Sequence, residues 1–369
     1  MNKNVVIIGA GIAGANAATT LAGKNSVTLI GRESYPPYYR MRLEEVISGK
    51  DESTIFIHPE SWYAEKGISL VYGAAAKIDR DGKKVHLADG REFDYDELII
   101  ATGSDAVNLP FAEGYTLRTI DDAKKIRAAI LSSDAPVSII GGGLLGLELA
   151  DTIKTAFDRP VTVFETSEYI LPLQLDRDSA VYLKEAMAEK GIKIVTGIKM
   201  VAERDGKLIA SDGSEFEKGI LIYSVGSRPA KAIAENSGVK CNRGILVGNN
   251  LSSCDGIYAV GDVSELDGKC FALAMYAREM GIFAAKNIDG DSSLYSPSEP
   301  STILKVSGID VASFGILDGE KTLVEKDGRR VTLVHSNGIL KGVILINAKP
   351  MMMKARGAIG KPLDVSLFE

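Results

Sequence analysis

Short apolar runs closed by glycine recur along this chain, and two of them follow one pattern. Asn4-Val5-Val6-Ile7-Ile8 and Val137-Ser138-Ile139-Ile140 are dominated by β-branched residues, which predicts strands. Each runs straight into Gly-x-Gly-x-x-Gly: Gly9, Gly11 and Gly14 in the first copy, Gly141, Gly143 and Gly146 in the second. Helix formers follow, Ala15-Asn16-Ala17-Ala18 and Leu147-Glu148-Leu149-Ala150, and then a second β-branched run, Val27–Ile30 and Val161–Phe164. The pattern predicts strand, tight turn, helix and strand, twice over. In such a unit the first glycine allows the turn. The second lets backbone N–H groups approach a pyrophosphate, and the third lets helix and strand pack closely. The helix N-terminus then presents its partial positive charge to the phosphates. A single glycine motif is weak; two complete units point to a chain that binds two dinucleotides.

Between and beyond the two units the pattern changes period. Leu70–Tyr72, Lys84–Leu87 and Glu97–Ile100 read as short strands, with Asp81-Gly82 and Asp89-Gly90 as hairpin turns. The last run ends in Ala101-Thr102-Gly103-Ser104, small residues that allow backbone to approach a ligand. Residues 121–131 read as a helix capped by Asp121 or Asp122, and 177–190 as a helix ended by Gly191. Lys207–Ile222 repeats the hairpin pattern and closes in a strand running into Gly226 and Pro229. Ile257–Asp262 is a strand ending in an acid suited to a polyol hydroxyl, and Phe271–Asn287 reads as a helix. A proline-bearing polar linker, 291–300, leads into a strand-rich remainder with turns at Gly308, Gly315, Gly328 and Gly338. The fold class expected is α/β: two interleaved Rossmann-like dinucleotide-binding domains plus a small C-terminal α+β domain.

An acid just past the second strand of each unit would bind an adenosine ribose. Glu165 follows Phe164 directly. In the first unit that place is Gly31, and Glu33, two residues on, is the candidate, with a solvated loop acid as the alternative. The loop Tyr35-Pro36-Pro37-Tyr38-Tyr39-Arg40-Met41-Arg42-Leu43 offers Arg40 and Arg42 to phosphate oxygens, or is a solvated basic loop.

Composition narrows the function classes. At 369 residues, 45% hydrophobic and 25% charged, the chain has the make-up of a globular protein of two or three domains. A net charge of −6 argues against a general nucleic-acid surface. Cys241, Cys254 and Cys270 are too few and too scattered for a disulfide framework or zinc site and suit a reducing cytoplasm. His58, His86 and His335 form no ligand spacing, so no metal is expected. Lys3 and the apolar run after it imitate a signal peptide, but the glycine spacing marks a strand and turn. No apolar run reaches the roughly 18 residues of a membrane span. One segment departs from the acidic average: Lys349, Lys354, Arg356 and Lys361 follow one another with no acid between, among Met351, Met352 and Met353. It reads either as a patch that steers an acidic partner or as a solvated, poorly ordered tail.

Taken together, the two glycine units, the Pro-Pro-Tyr-Tyr-Arg loop, Ala101-Thr102-Gly103, Gly226 with Pro229, and Tyr258–Asp262 resemble the glutathione-reductase-like flavoproteins with two dinucleotide folds. The resemblance covers about residues 4–345 and is closest to NADH:rubredoxin oxidoreductases and the flavin domain of NADH-dependent nitrite reductases. It implies FAD on the first unit and NADH on the second. By the same token FAD takes residues 1–107 and 230–297, NADH takes 108–229, and 298–369 form the C-terminal domain. It sets Arg40, Thr102, Gly103 and Asp262 around FAD, Glu165 on the NADH ribose and Glu148 near the contact of nicotinamide with flavin. Two departures stand out. No cysteine precedes Cys241, so the early redox-active pair of many relatives is missing. Where others carry a lysine that pairs with the glutamate at the place of Glu148, Leu43 is followed by Glu44 and Glu45, and the next lysine is Lys50. The function implied is transfer of electrons from NADH through FAD to rubredoxin or a similar small acidic carrier, by a monomer or homodimer. The alternatives are an NADH oxidase or diaphorase, the reductase component of a nitrite-reductase-like system, and a flavin-based redox sensor.

Overall fold

The structure is a computed structural model and describes residues 2–369. It divides into two compact units. The first gathers the residues up to Leu43, Asp51–Ala106 and Ser227–Ser298; the second gathers Glu44–Lys50, Val107–Gly226 and Glu299–Glu369.

β1 (Asn4–Ile8), α1 (Ile12–Leu21) and β2 (Ser26–Gly31) open the first unit. After α2 (Leu43–Ser48) and α3 (Glu60–Glu65) come β3 (Ile68–Tyr72) and an antiparallel meander of β4 (Ala75–Asp79), β5 (Lys84–Leu87) and β6 (Glu92–Asp94). β7 (Glu97–Ile100) and β8 (Ser104–Ala106) follow. The second unit repeats the plan. β9 (Tyr115–Thr116) and α4 (Ile120–Leu131) lead to β10 (Val137–Ile140), α5 (Leu144–Phe157), β11 (Val161–Phe164), α6 (Arg177–Glu189) and β12 (Ile192–Val195). A meander of β13 (Met200–Arg204), β14 (Lys207–Ala210) and β15 (Glu215–Glu217) precedes β16 (Ile220–Tyr223). The parallel registers match: Val5 lies opposite Val27 and Glu97, and Val137 opposite Val161 and Ile220.

The chain then returns to the first unit through β17 (Ser227–Pro229), α7 (Ala232–Asn236), β18 (Ile245–Val247), β19 (Ser252–Cys254), β20 (Ile257–Ala259), β21 (Ser264–Leu266) and α8 (Ala274–Ile288). The first sheet is ordered β19-β20-β7-β1-β2-β3 and the second β12-β11-β10-β16-β9. β1 is buried on both faces, as a parallel strand between two layers must be. Val5 and Ile7 pack with Ala17 and Leu21 of α1 and Met280 and Ala284 of α8. Val6 and Ile8 pack on the opposite face with Ile78 and Val85 of the meander. Helix, sheet and meander thus form three layers.

The last segment, inside the second unit, is a five-stranded antiparallel sheet. β22 (Ser301–Val306), β23 (Ile309–Gly315), β24 (Glu320–Lys326), β25 (Arg329–Ser336) and β26 (Ile339–Ile346) stand in the order β22-β23-β26-β25-β24. Three of its turns place two successive residues at positive φ, Ser307-Gly308, Asp327-Gly328 and Asn337-Gly338, the geometry that matches strand twist in a two-residue hairpin. A short 3-10 turn, Lys349–Met351, leads into α9 (Met352–Ala358). Ala355 and Ala358 are buried with Phe314, Leu333 and Phe368. The α/β class with two Rossmann-like units and a C-terminal α+β part holds.

Three local expectations change. The segment from Lys349 is a folded turn and helix rather than a loose tail. The cap of α4 is Thr119, not Asp121 or Asp122: its hydroxyl accepts from Asp122 N while the Asp122 carboxylate accepts from Thr119 N, a closed capping box. The expected hairpin turns at Asp81-Gly82, Asp89-Gly90 and Asp212-Gly213 form, and each hairpin region is a three-stranded meander, completed by β4 and β6 in the first and by β13 in the second, strands beyond those expected.

Candidate nucleotide sites

The first glycine turn is built by close approach. Gly9 has φ +114°, and a Cβ there would stand 2.1 Å from Ala101 O on the neighbouring strand end. A Cβ on Gly14 would stand 1.9 Å from Gly9 O, so α1 can lie against the turn only with hydrogen at that place. Gly11 differs: it has an ordinary φ of −83° and nothing lies within 4 Å of its would-be Cβ. It is the N-cap of α1 and no side chain caps the helix, so the first-turn amides have no side-chain acceptor from the cap. The fold gives no internal reason for glycine there. Close approach of an anionic ligand to that uncapped helix end does, and the donor set suits a pyrophosphate.

Around that turn the loop of the first unit closes on itself. Glu33 Oε2 accepts from Tyr38 Oη at 2.6 Å and Glu33 Oε1 meets Arg40 Nη2 at 2.5 Å, while Arg40 Nη1 donates to Tyr38 Oη at 2.7 Å. Burial opposes the charge on Arg40, but Tyr38, Glu33 and Asp262 outweigh it and hold the guanidinium firmly protonated. Asp262 follows Gly261 at the end of β20, and its Oδ2 accepts from the buried Ser104 hydroxyl at 2.7 Å. Thr102 Oγ1 donates to Ala230 O at 2.8 Å, and Ala230 N donates to Gly103 O at 2.9 Å. The structure therefore brings Glu33, Arg40 and Asp262 into one electrostatic neighbourhood and stitches Thr102 and Gly103 to the returning chain. Tyr38, Ser104 and Ala230 were not singled out as site residues. Only Tyr38, an aromatic in the Pro-Pro loop beside two arginines, carried a usable signal.

The second turn copies the first. Gly141 also has φ +114°, with Ser224 O at 2.2 Å from its would-be Cβ; Gly146 would meet Gly141 O at 2.1 Å; Gly143 faces open space. Glu165 reaches back into this turn. Its Oε2 accepts from Gly142 N at 2.7 Å and its Oε1 from Ser167 N at 2.8 Å. Burial works against ionisation, yet these amides win and keep the carboxyl below its usual range. Glu148, on α5, is governed differently: burial and the nearby charge of Glu44 push it up to about 7. The place expected for a lysine partner thus holds a second carboxylate. Gly226, at φ +92°, ends the repeat, and its carbonyl accepts from Val107 N at the start.

Cys241, Cys254 and Cys270 are all free and all lie in the segment that returns to the first unit. Burial raises the thiols of Cys241 and Cys270. Among the described residues no group of three His, Cys, Asp or Glu stands as a metal-ion cage, and no helix is long and apolar enough to cross a membrane.

Known proteins share both the sequence and the architecture. The chain is 38% identical over 327 residues to the NADH-rubredoxin oxidoreductase of Clostridium acetobutylicum, covering 87% of this chain and 83% of that protein. The crystal structure of NADH:rubredoxin oxidoreductase from the same organism matches with a TM-score of 0.83 at 32% identity, covering 99% of this chain and 97% of that one. The assimilatory nitrate reductase electron transfer subunit of Bacillus subtilis is 29% identical over 99% of this chain, which spans only 50% of that longer protein. Residues 3–281 match the family described as pyridine nucleotide-disulphide oxidoreductase. With two nucleotide turns, that match and these relatives, the chain belongs to the pyridine nucleotide-disulphide oxidoreductase family.

Proposed function

We propose that this protein is an FAD-dependent NADH oxidoreductase that passes electrons from NADH, through bound FAD, singly to a small acidic carrier such as rubredoxin. The observation that carries the reading is the pairing of two nucleotide turns with the absence of cysteine beside either. Bound FAD supplies the conversion of a two-electron donor to one-electron acceptors. One NADH reduces two carriers and leaves NAD+ and a proton.

The roles follow from the chain's own groups. FAD takes residues 1–107 and 230–297, NADH takes 108–229, and 298–369 complete the second unit. Gly11 and the amides of α1 hold the FAD pyrophosphate; Gly143 and α5 do the same for NADH. Arg40, fixed by Glu33 and Tyr38, presents a rigid cation. Asp262, oriented by Ser104, accepts ribityl hydroxyls. Thr102 and Gly103 form the wall behind the flavin. Glu165 keeps acceptor capacity for ribose hydroxyls, because a carboxylate offers about four lone-pair sites. Its charge repels a 2′-phosphate, and no Arg or Lys lies in the ten residues after it. Glu148 guards the approach of nicotinamide to flavin. The three free cysteines suit the reducing cytoplasm, where we place the enzyme.

An anaerobic stopped-flow experiment tests the reading. NADH should bleach the protein's FAD, and NADPH should do so at least about tenfold more slowly, a discrimination of about 1.4 kcal/mol. Rubredoxin should then restore the flavin absorbance within the turnover time. Fast reoxidation by oxygen alone would make the protein an oxidase, and a slow response to both a sensor. The kinship with a nitrate reductase subunit supports a second reading, a reductase component, in which the acceptor sits on a partner polypeptide.

A further inference from the structure

The charge of this chain is unevenly distributed. From Ser301 onward there are ten Lys and Arg against seven Asp and Glu, a surplus of three cations in a chain of net charge −6. Within the C-terminal sheet the two signs part again. On the β24 side, Arg330 meets Glu325 at 2.7 Å and Arg329 meets Asp327 at 3.4 Å, so cations and acids neutralise each other. On the β22 and α9 side stand Lys305, Lys349, Lys354, Arg356 and Lys361, and among the described residues none of these five is held in an ion pair. Two are nevertheless fixed: Lys354 Nζ donates to Leu367 O at 2.6 Å, and the Arg356 guanidinium lies over the Phe314 ring at 5.4 Å.

Apolar surface lies among these cations. A pocket of about 90 Å³ opens between β22, β23 and the turn before α9, with Ile303, Leu345 and Met352 as its apolar lining and Lys305, Lys349 and Asp310 as its polar groups. Ile303 is 58% exposed and Met353, on α9, 82%. Two cations at an apolar socket, Lys305 and Lys349, and two fixed cations on the helix that follows, Lys354 and Arg356, supply with the exposed Met353 the two ingredients of a fast, specific and transient interface. The charges steer encounter, and an apolar anchor fixes register.

We infer that this face docks the electron carrier, taking a small acidic protein that seats one aliphatic side chain in the Ile303–Met352 pocket while its carboxylates meet Lys349, Lys354, Arg356 and Lys361. The inference rests on the proposed reduction of such a carrier. Charge selects this occupant: the whole chain is acidic and would repel an acidic carrier from most directions, and here the sign reverses. A second copy of this chain in a two-fold symmetric pair would bring its own cationic face against this one.

The test uses full-length, flavin-loaded protein with a purified acidic rubredoxin as probe. Lys354→Glu/Arg356→Glu and, separately, Lys305→Glu/Lys349→Glu are compared with wild type by stopped flow at low salt and through a salt series. We expect the second-order rate of carrier reduction to fall about tenfold or more in each double variant, within the range that steering commands. The salt dependence should flatten, and reduction of the flavin by NADH should be unchanged. That last rate, with flavin content, reports folding, and Lys354→Gln/Arg356→Gln should give an intermediate loss. Unchanged carrier rates at low salt in both charge-reversal variants would overturn the docking face and leave the electron-transfer reading standing. A wild type that bleaches with NADH yet reduces no carrier would overturn both. Sedimentation showing a wild-type dimer that the variants lose would assign the face to self-association instead.

Discussion

Gly31 and Ala10 explain why the two nucleotide units carry their acids at different places. A Cβ on Gly31 would come to 2.9 Å from Ala10 Cβ; in the second unit a Cβ on Gly142 would come to 3.0 Å from Glu165 Cβ. Ala10 and Gly142 hold the same place in their turns, as do Gly31 and Glu165 at the ends of their second strands. The two places face each other and only one can carry a side chain. The first unit fills the space with Ala10, and its first acid past the strand is Glu33, two residues on. The second keeps glycine at 142 and puts the acid directly at 165, where Gly142 N binds it. This predicts a coupled pair of substitutions. Gly31→Ala alone should lower stability by about 1–3 kcal/mol, the usual cost of overpacking. Ala10→Gly in the same chain should recover much of it, so that the two effects are far from additive. Thermal unfolding of the flavin-loaded single and double variants reads the cycle; additive losses would show that the backbone absorbs the contact.

At the scale of elements, what the sequence disclosed was local and what it hid was relational. Both glycine turns are legible because the Gly-x-Gly-x-x-Gly spacing is local, although only Gly14 is crowded by a sequence neighbour, Gly9 O, while Gly9 is crowded by Ala101 O from a distant strand end. The strands are legible because their β-branched runs are continuous. Thr119 ranks below aspartate as a cap on residue type alone, and only the pairing of its hydroxyl with an acid three residues on makes it the cap. The Ser104–Asp262 bond spans 158 residues and leaves no local trace. The partner of Glu148 belongs to the same class. Sequence shows only that no lysine directly follows Leu43; the fold brings α2 into the second unit, where Arg127 Nη1 donates to Ile47 O at 2.9 Å, and burial, with the charge of Glu44 added to it, raises Glu148 to about 7. The sign of the consequence follows by linkage. With a folded value above the ordinary 4.5, the native state holds a proton that the unfolded chain releases, so stability should fall as pH rises from about 4.5 through about 7. Glu148→Gln should remove that component of the slope, and Glu44→Gln should shrink it. Melting temperatures at pH 5 and pH 8 provide the measurement; an identical pH dependence in wild type and Glu148→Gln would refute the assignment.

At the scale of the whole molecule, the chain is one nucleotide unit interrupted by another. The interruption is tolerated because its two ends are held side by side. β8 and β17 form an antiparallel ribbon within the first unit, Ser104 opposite Pro229, and Val107 N donates to Gly226 O as the second unit begins and ends. Nothing in this plan depends on sulfur, although the family is named for a disulphide. All three cysteines follow the insertion, all are free, and two have thiols raised by burial, which keeps them protonated and poorly nucleophilic near neutral pH. Cys241 Sγ is turned to the Val239 carbonyl at 3.4 Å, and Cys270 Sγ lies 3.1 Å from where a Gly244 side chain would begin, so both act as small packing groups. The prediction is that a Cys241→Ala/Cys254→Ser/Cys270→Ala variant, once folded and loaded with FAD, reduces its carrier within about threefold of the wild-type rate, a barrier change of less than about 0.7 kcal/mol. Thiol alkylation of the NADH-reduced wild type should likewise leave turnover intact. A relay through sulfur would instead lose two or more orders of magnitude on the same substitutions, with flavin reduction by NADH preserved, and steady-state carrier reduction read beside flavin bleaching separates the two outcomes.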